Sequence, residues 1–341
     1  PGGRGVSYRT HLAPDHRRPM DPQCVWLDVD TGVDDAHALL LALRSPSLKV
    51  VGVSCVAGNG PLDLVVEATL KVLDAAAAPS DLVVARGFDR PLIEPPHPCP
   101  QIHGEDCLGD LDPPLPPSSR AVAAAHAVDA LLDALRTAAS DGVQLTLIAL
   151  APLTNVAAAL RRDPAACAAG LERVVWMGGA AFAGGNASAW AEANAAYDPE
   201  AAHIVITMLD EIGVPLVMYT WDVYLKVEFA LAEAAAVPGE PPWSELARRL
   251  LRRDMRHFGQ ESAQIGDAGA VAVVIASDAM TVRRMHVEVE LRGAATRGMT
   301  VVDQRGFVMP PDKAQLPPNV DVVVDVDAAR IKSVFADAVL H

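Results

Sequence analysis

The chain has 341 residues, 51% of them hydrophobic and 21% charged, which is enough apolar content for a large buried core. Its formal net charge is −15 and its sequence pI about 5.0, which argues against a nucleic-acid surface, because phosphate backbones are met by basic faces. A metal ion or a small neutral or cationic ligand suits that balance better, and no apolar run reaches the length of a membrane span.

The first 21 residues are polar and rich in arginine and proline, without the apolar middle of a secretory signal, and read as a disordered lead-in. Five scattered cysteines without a CxxC pair suggest neither a disulfide framework nor a zinc ribbon. Reduced thiols in a cytoplasmic protein are the default expectation. The chain starts at Pro1 rather than Met, which leaves organellar targeting open.

From Val25 to Leu43 the sequence VWLDVDTGVDDAHALLLAL predicts a strand, a tight turn at Gly32 and a helix. Four carboxylates, Asp28, Asp30, Asp34 and Asp35, fall in this short stretch. Helix capping explains Asp34 and Asp35, but not Asp28 and Asp30 at a strand end. Such mutual repulsion is tolerated when a hard cation with a taste for oxygen neutralises it. An EF-hand loop fits poorly, because Gly32 stands where an oxygen ligand is needed and Leu39 where the closing Glu belongs.

Downstream, Leu48–Ala57 predicts a strand ending at Gly58-Asn59-Gly60, residues 62–78 a helix, and residues 81–85 a further strand. The proline-rich stretch 86–118 predicts a long functional loop around IHGEDCLGD. There His103 is either an exposed loop histidine or a group of the site, since imidazole changes charge near neutral pH. A helix over 121–138, a strand over 143–150, a strand over 174–177 with a glycine-rich loop, and a strand over 214–218 follow. Asp198 reads as an N-cap before Pro199. Residues 226–260 read as mostly helical, 268–277 as an apolar helix, and 285–291, 298–303 and 320–325 as strands before a terminal helix from Ala328. The alternation predicts an open, mostly parallel α/β sheet flanked by helices, built as one domain over 22–341. The polar groups at Asp30, Asn59, Thr154, Met177 to Asn194 and Trp221-Asp222 each follow a predicted strand, and Asp267 opens a helix, so they share one rim of the sheet.

DVDTGVDDAHAL resembles the DTDPGxDDxxAL signature of the nucleoside hydrolases, the inosine–uridine-preferring N-ribohydrolases. The likeness continues through VAGN at 56–59, HGEDCLG at 103–109, ALAPLTN at 149–155, WMGG at 176–179, the run from Asn186 to Ala202, and RGMTVVD at 297–303. It implies a Ca²⁺ ion held by Asp30, Asp35, the Thr154 carbonyl and Asp267, with Asp30 taking a proton from a metal-bound water. It further implies that Asp34, Asn59, Glu192 and Asn194 grip the ribose, that Asn186 lies near the 5′-hydroxyl, that Met177 lines the sugar pocket, and that Asp28 supports from beneath. It implies a ribonucleoside substrate and a homodimer or homotetramer.

This chain departs from the pattern in three places. Thr31 replaces proline, Cys107 stands where glycine is frequent, and Gly266 stands where many members carry the histidine that protonates the leaving base. Candidates for the base side are His103, His257, Gln260 and Gln264, with Trp221 and Trp190 as stacking partners. Two other readings compete. LDVDT at 27–31 also fits the DxDxT opening of haloacid-dehalogenase-type phosphatases, with Asp28 as nucleophile, although Asp34-Asp35 is unexpected there. A catalytically weak or non-catalytic nucleoside binder of the same fold is the other.

Overall fold

In the computed structural model, which describes residues 21–305 and 316–341, the first apolar run forms β1 (Gln23–Val29). The lead-in expected over residues 1–21 lies outside the described residues except for Asp21. The chain continues through α1 (Val33–Arg44), β2 (Leu48–Cys55), α2 (Leu62–Ala75), β3 (Val83–Arg86) and the single turn α3 (Pro100–His103). Next come α4 (Ala127–Ser140), β4 (Leu145–Ala149), α5 (Thr154–Arg162), α6 (Pro164–Gly170) and β5 (Leu171–Met177). They are followed by α7 (Ala193–Tyr197), α8 (Pro199–Glu211), β6 (Leu216–Tyr219), α9 (Trp221–Tyr224) and β7 (Glu228–Ala230). The last part holds α10 (Pro242–Phe258), β8 (Ser262–Gln264), α11 (Asp267–Ile275), β9 (Met280–Met285), β10 (Val287–Val289), β11 (Thr300–Val302), β12 (Val320–Val326) and α12 (Ala328–Phe335).

Eight strands form the central sheet in the order β3-β2-β1-β4-β5-β6-β12-β9, parallel throughout except for β9. The chain winds outward from β1 to β3 and then resumes on the other side of β1 at β4. That reversal leaves a crevice at the carboxyl ends of β1 and β4, where open α/β sheets bind ligands. Alternate residues of β1 serve opposite faces: Val25, Leu27 and Val29 join the core under α1, α2, α10 and α11, while Trp26 joins the core under α4, α5 and α8. The expected mostly parallel, helix-flanked, single-domain α/β fold is therefore present. No helix among the described residues is long and apolar enough to cross a membrane, and all five cysteines are free thiols.

Three expectations need correction. The helix expected from Ala121 begins at Ala127, because the Ala123 amide bonds the Val84 carbonyl at 2.8 Å and holds this stretch extended. The first part of the segment read as helical over 226–260 is instead β7, antiparallel to β8, whose partner lies beyond α10 and so left no local signal. The strand expected over 285–291 divides at His286: β9 closes the main sheet and β10 pairs with β11 in a separate ribbon.

The crevice floor is tied by one amide. Asn155 Nδ2 donates to Asp28 Oδ1 at 2.8 Å and to the Cys55 carbonyl at 3.2 Å, and its Oδ1 accepts from the Phe88 amide at 3.1 Å. It thereby joins β1, β2 and the segment after β3 to the start of α5. Replacing Asn155 with Ala leaves all three groups without this partner inside the protein. The expected loss is ~2–4 kcal/mol of unfolding free energy, measured by chemical denaturation.

Candidate active site

Asp30 lies just past the end of β1, and Asn59 of the β2–α2 turn reaches across to it. The Asn59 backbone amide donates to Asp30 Oδ2 at 2.8 Å, and its side-chain Nδ2 donates to Asp35 Oδ2 at 3.2 Å. Asp35 Oδ2 also accepts from the Gly32 amide at 2.9 Å, closing the N-terminus of α1. This approach requires glycine at 58, where a Cβ would collide with Asp30 Oδ2. With one oxygen of each carboxylate thus engaged, Asp30 Oδ1 and Asp35 Oδ1 are buried without a hydrogen-bond partner among the described residues.

Asp267 arrives from far along the chain because α11 packs beside α1 and the two helix N-termini converge. Oxygens of Asp34, Asp35 and Asp267 lie within 4.8 Å of one another. Asp30 adjoins this group: the charge of Asp35 acts on it, and its own charge acts on Asp267. The tightest trio thus contains Asp34, which was expected to serve the sugar, with Asp30 alongside it. Burial raises the Asp30 carboxyl well above its ordinary range, and the Asp35 charge adds to this. Burial and then Asp34 push Asp35 up to about 8. Asp267 is likewise raised well above the usual carboxylate range, by burial and then by Asp34, Asp35, Asp30 and Glu192. Orphaned carboxylate oxygens, an all-oxygen donor set and uncompensated repulsion together fit a hard divalent cation.

The other expected residues divide into groups. Asp28 is fully buried one layer below, where Oδ1 accepts from Ser54 and Asn155 and burial raises the carboxyl to about 6. Its Oδ1 is thus committed to tying β2 and α5 to β1, which is structural work rather than a nucleophile's. The Thr154 hydroxyl donates to Asp198 Oδ2 at 2.7 Å, which leaves its backbone carbonyl as the ligand atom to consider. Asp198 caps α8 through the Ala201 amide, as expected of an N-cap. Asn194 turns Nδ2 onto the carbonyls of Leu150 at 3.1 Å and Met177 at 3.0 Å, so a ligand would meet its Oδ1. Met177 ends β5 beside it, with Sδ 3.6 Å from that amide nitrogen. Glu192 is buried and caps α7, its oxygens accepting from the amides of Gly179, Asn194 and Ala195. A carboxylate has room for a further donor, so a ribose hydroxyl can still reach it. Asn186 stands on an exposed loop, its Oδ1 holding the Ala193 amide at 2.8 Å.

His103 belongs with the carboxylates. Its Nδ1 accepts from the Val33 amide at 3.2 Å and lies 3.8 Å from Asp34 Oδ1, and burial lowers its pKa. The ring is therefore neutral at physiological pH, with Nε2 carrying the proton. Trp221 is half-buried and stacks on Tyr224 at 4.6 Å. His257 is exposed at the end of α10 and lines a separate cavity of about 440 Å³ with Asp110, Asp112, Arg253 and Arg256, which none of the four site carboxylates borders.

Sequence reading placed Asp222 on the rim without a role and missed Tyr224. Tyr224 Oη donates to Asp34 Oδ2 at 3.1 Å, and burial followed by Asp34 and Asp267 keeps its phenol protonated well beyond the usual range. Asp222 accepts from the consecutive amides of Ala181, Phe182 and Ala183, at 2.7, 2.9 and 2.5 Å, clasping the loop that leads to Asn186. The placement of Trp221-Asp222 after a strand hinted at Asp222; nothing local marked Tyr224, whose partner is 190 residues away.

Known proteins resemble this chain in sequence and in fold. The chain is 31% identical over 313 residues to the pyrimidine-specific ribonucleoside hydrolase RihB of Escherichia coli, covering 90% of this chain and 95% of that protein. It is 32% identical over 282 residues to an uncharacterized protein of Schizosaccharomyces pombe, covering 81% and 88%. The solved structure of an inosine-guanosine nucleoside hydrolase superposes with a TM-score of 0.83 at 30% identity, covering 93% of this chain and 98% of that one. The sequence signature described as inosine-uridine preferring nucleoside hydrolase matches residues 25–333, and the chain belongs to that family.

Proposed function

We propose that this protein hydrolyses the N-glycosidic bond of ribonucleosides to free base and ribose and that it depends on Ca²⁺. The observation that carries the reading is the pair of buried, unpartnered oxygens on Asp30 and Asp35, set beside Asp267 at the carboxyl ends of β1 and β4. Asp30, Asp35, Asp267 and the Thr154 carbonyl would hold the ion. When bound, it neutralises the acids and makes water a better nucleophile near neutral pH.

This chain's own residues supply the rest. Cleavage of the C1′–N bond passes through a ribose with oxocarbenium character, and the nest of carboxylates stabilises that developing positive charge. Asp30, whose Oδ1 has no hydrogen-bond partner among the described residues, takes a proton from the attacking water. Asp34, Asn59, Glu192 and Asn194 orient the ribose hydroxyls, with Asn186 near the 5′ end and Met177 lining the sugar pocket. His103 faces the leaving base as a neutral Nε2–H donor. Trp221 offers a stacking surface, whereas the exposed place of His257 favours it less. RihB is named as pyrimidine-specific and the other as an inosine-guanosine enzyme, and the two are about equally similar to this chain, so overall similarity does not choose between purine and pyrimidine bases.

Ribose release from a panel of purine and pyrimidine ribonucleosides with calcium present is the decisive measurement. Turnover that chelation abolishes and calcium restores is expected. Nucleoside binding by calorimetry without any turnover would make the protein a binder instead.

Asp30→Asn removes both the proton acceptor and one ligand, and kcat is expected to fall at least ~10²-fold. A near wild-type rate would assign water activation to another group.

The acids also predict how calcium and pH combine. The folded carboxyl of Asp35 titrates at about 8 and that of Asp28 at about 6, both above the unfolded value of 3.8. Ion-free folded protein therefore keeps protons that the unfolded chain has lost, and these groups reduce stability as pH rises from about 4 to 8. Calcium needs the ionised forms, so its stabilisation grows over the same window. Thermal unfolding should show a larger calcium-induced rise in Tm at pH 8 than at pH 5. Equal rises at both would place the ion elsewhere.

A further inference from the structure

The one-turn helix α9 stands on the rim between β6 and the glycine-rich loop. It is fixed on one side by Asp222, which holds the amides of Ala181 to Ala183, and within itself by the Tyr224 amide on the Thr220 carbonyl at 3.1 Å. Its last residue, Tyr224, crosses to Asp34 on α1. The ring has little freedom to leave. Trp221 stacks against it at 4.6 Å and 36°, and it fills the space over the bare Cα of Gly266, where a Cβ would come within 2.6 Å of its Cε2 and Oη. Gly266 has φ +50 and ψ −116, a conformation that L side chains rarely adopt, so position 266 stays bare and the ring stays seated.

Asp34 differs from its neighbours in what holds it. Asp30 and Asp35 each receive an amide hydrogen bond from Asn59. Asp34 Oδ1 accepts from the Asp35 amide at 3.3 Å and faces His103 Nδ1 at 3.8 Å, a nitrogen that itself serves as acceptor for Val33. The phenol of Tyr224 is the side-chain donor that fixes Oδ2. Without it a carboxylate amid three others would turn toward solvent, away from Asp35 and Asp267.

We propose that Tyr224 is a positioning residue of the ribose subsite: its hydroxyl fixes the carboxylate of Asp34 in the orientation that accepts a sugar hydroxyl. The inference rests on the proposed function, because that reading gives Asp34 its ribose.

Tyr224→Phe keeps the ring over Gly266 and against Trp221 and removes only the hydroxyl. Binding of free D-ribose to the calcium-loaded protein is read by calorimetry, and nucleoside hydrolysis by KM and kcat. The expected result is about tenfold weaker ribose binding and a KM raised by a similar factor, the scale of one lost hydrogen bond to a charged group, with the thermal midpoint unchanged. If Tyr224 acts through Asp34, the same substitution made in Asp34→Asn protein adds no further loss. Wild-type ribose affinity in Tyr224→Phe, or an equal loss in the Asp34→Asn background, would overturn the positioning role while leaving the function intact. Wild-type protein that neither binds ribose nor hydrolyses nucleosides would overturn the function itself, and this role with it. A lowered thermal midpoint with unchanged ribose affinity would assign Tyr224 to folding alone.

Discussion

Everything in this site follows from crowding negative charge where water is scarce. Asp30, Asp35 and Asp267 are buried, and besides burial the charge of Asp34 close by raises the free energy of ionising all three. The fold answers with fixed positive potential rather than with basic side chains. The N-termini of α1 and α11 converge on the acids, and backbone amides of Gly32 and Asn59 point at them. No lysine or arginine side chain pairs with Asp30, Asp35 or Asp267 among the described residues. That is the arrangement expected of a place kept for a cation and for a sugar acquiring positive charge.

The acids sit in two layers with separate work. Asp28 lies below, bonded to Ser54 and Asn155, and knits adjacent strands of the sheet. Asp30, two residues on, lies past the strand end, where its held oxygen takes the Asn59 backbone amide of the β2–α2 turn, and each of the two acids keeps one oxygen without a hydrogen-bond partner among the described residues. The change of role within three residues comes from the end of β1: inside the sheet a carboxylate must find donors in neighbouring strands, and past its edge it can face a ligand.

Much of this was legible in the chain because it is local. A strand ending in alternate aspartates, a glycine turn and an acidic helix start predict the first unit, and their repetition predicts a parallel sheet with polar groups on one rim. What escaped is non-local. β7 reads as part of a helix because β8, its partner, lies past α10. The resemblance implies Glu192 as a ribose ligand, and nothing local shows that its carboxylate also holds the Gly179 amide across the glycine-rich loop. Tyr224 carried no mark at all, since its meaning comes from Asp34 and Gly266, brought to it only by the folded sheet.

The dispersal of the acids has a further consequence for how the protein is made. Asp30 and Asp35 leave the ribosome early, whereas Asp267 follows only after β6, α9 and α10. On the proposed function, a nascent chain therefore carries half a cage through most of its synthesis. Capture of the ion would then mark the end of assembly rather than its beginning, and a truncated product lacking α11 would be left with naked acids and nothing to quiet them.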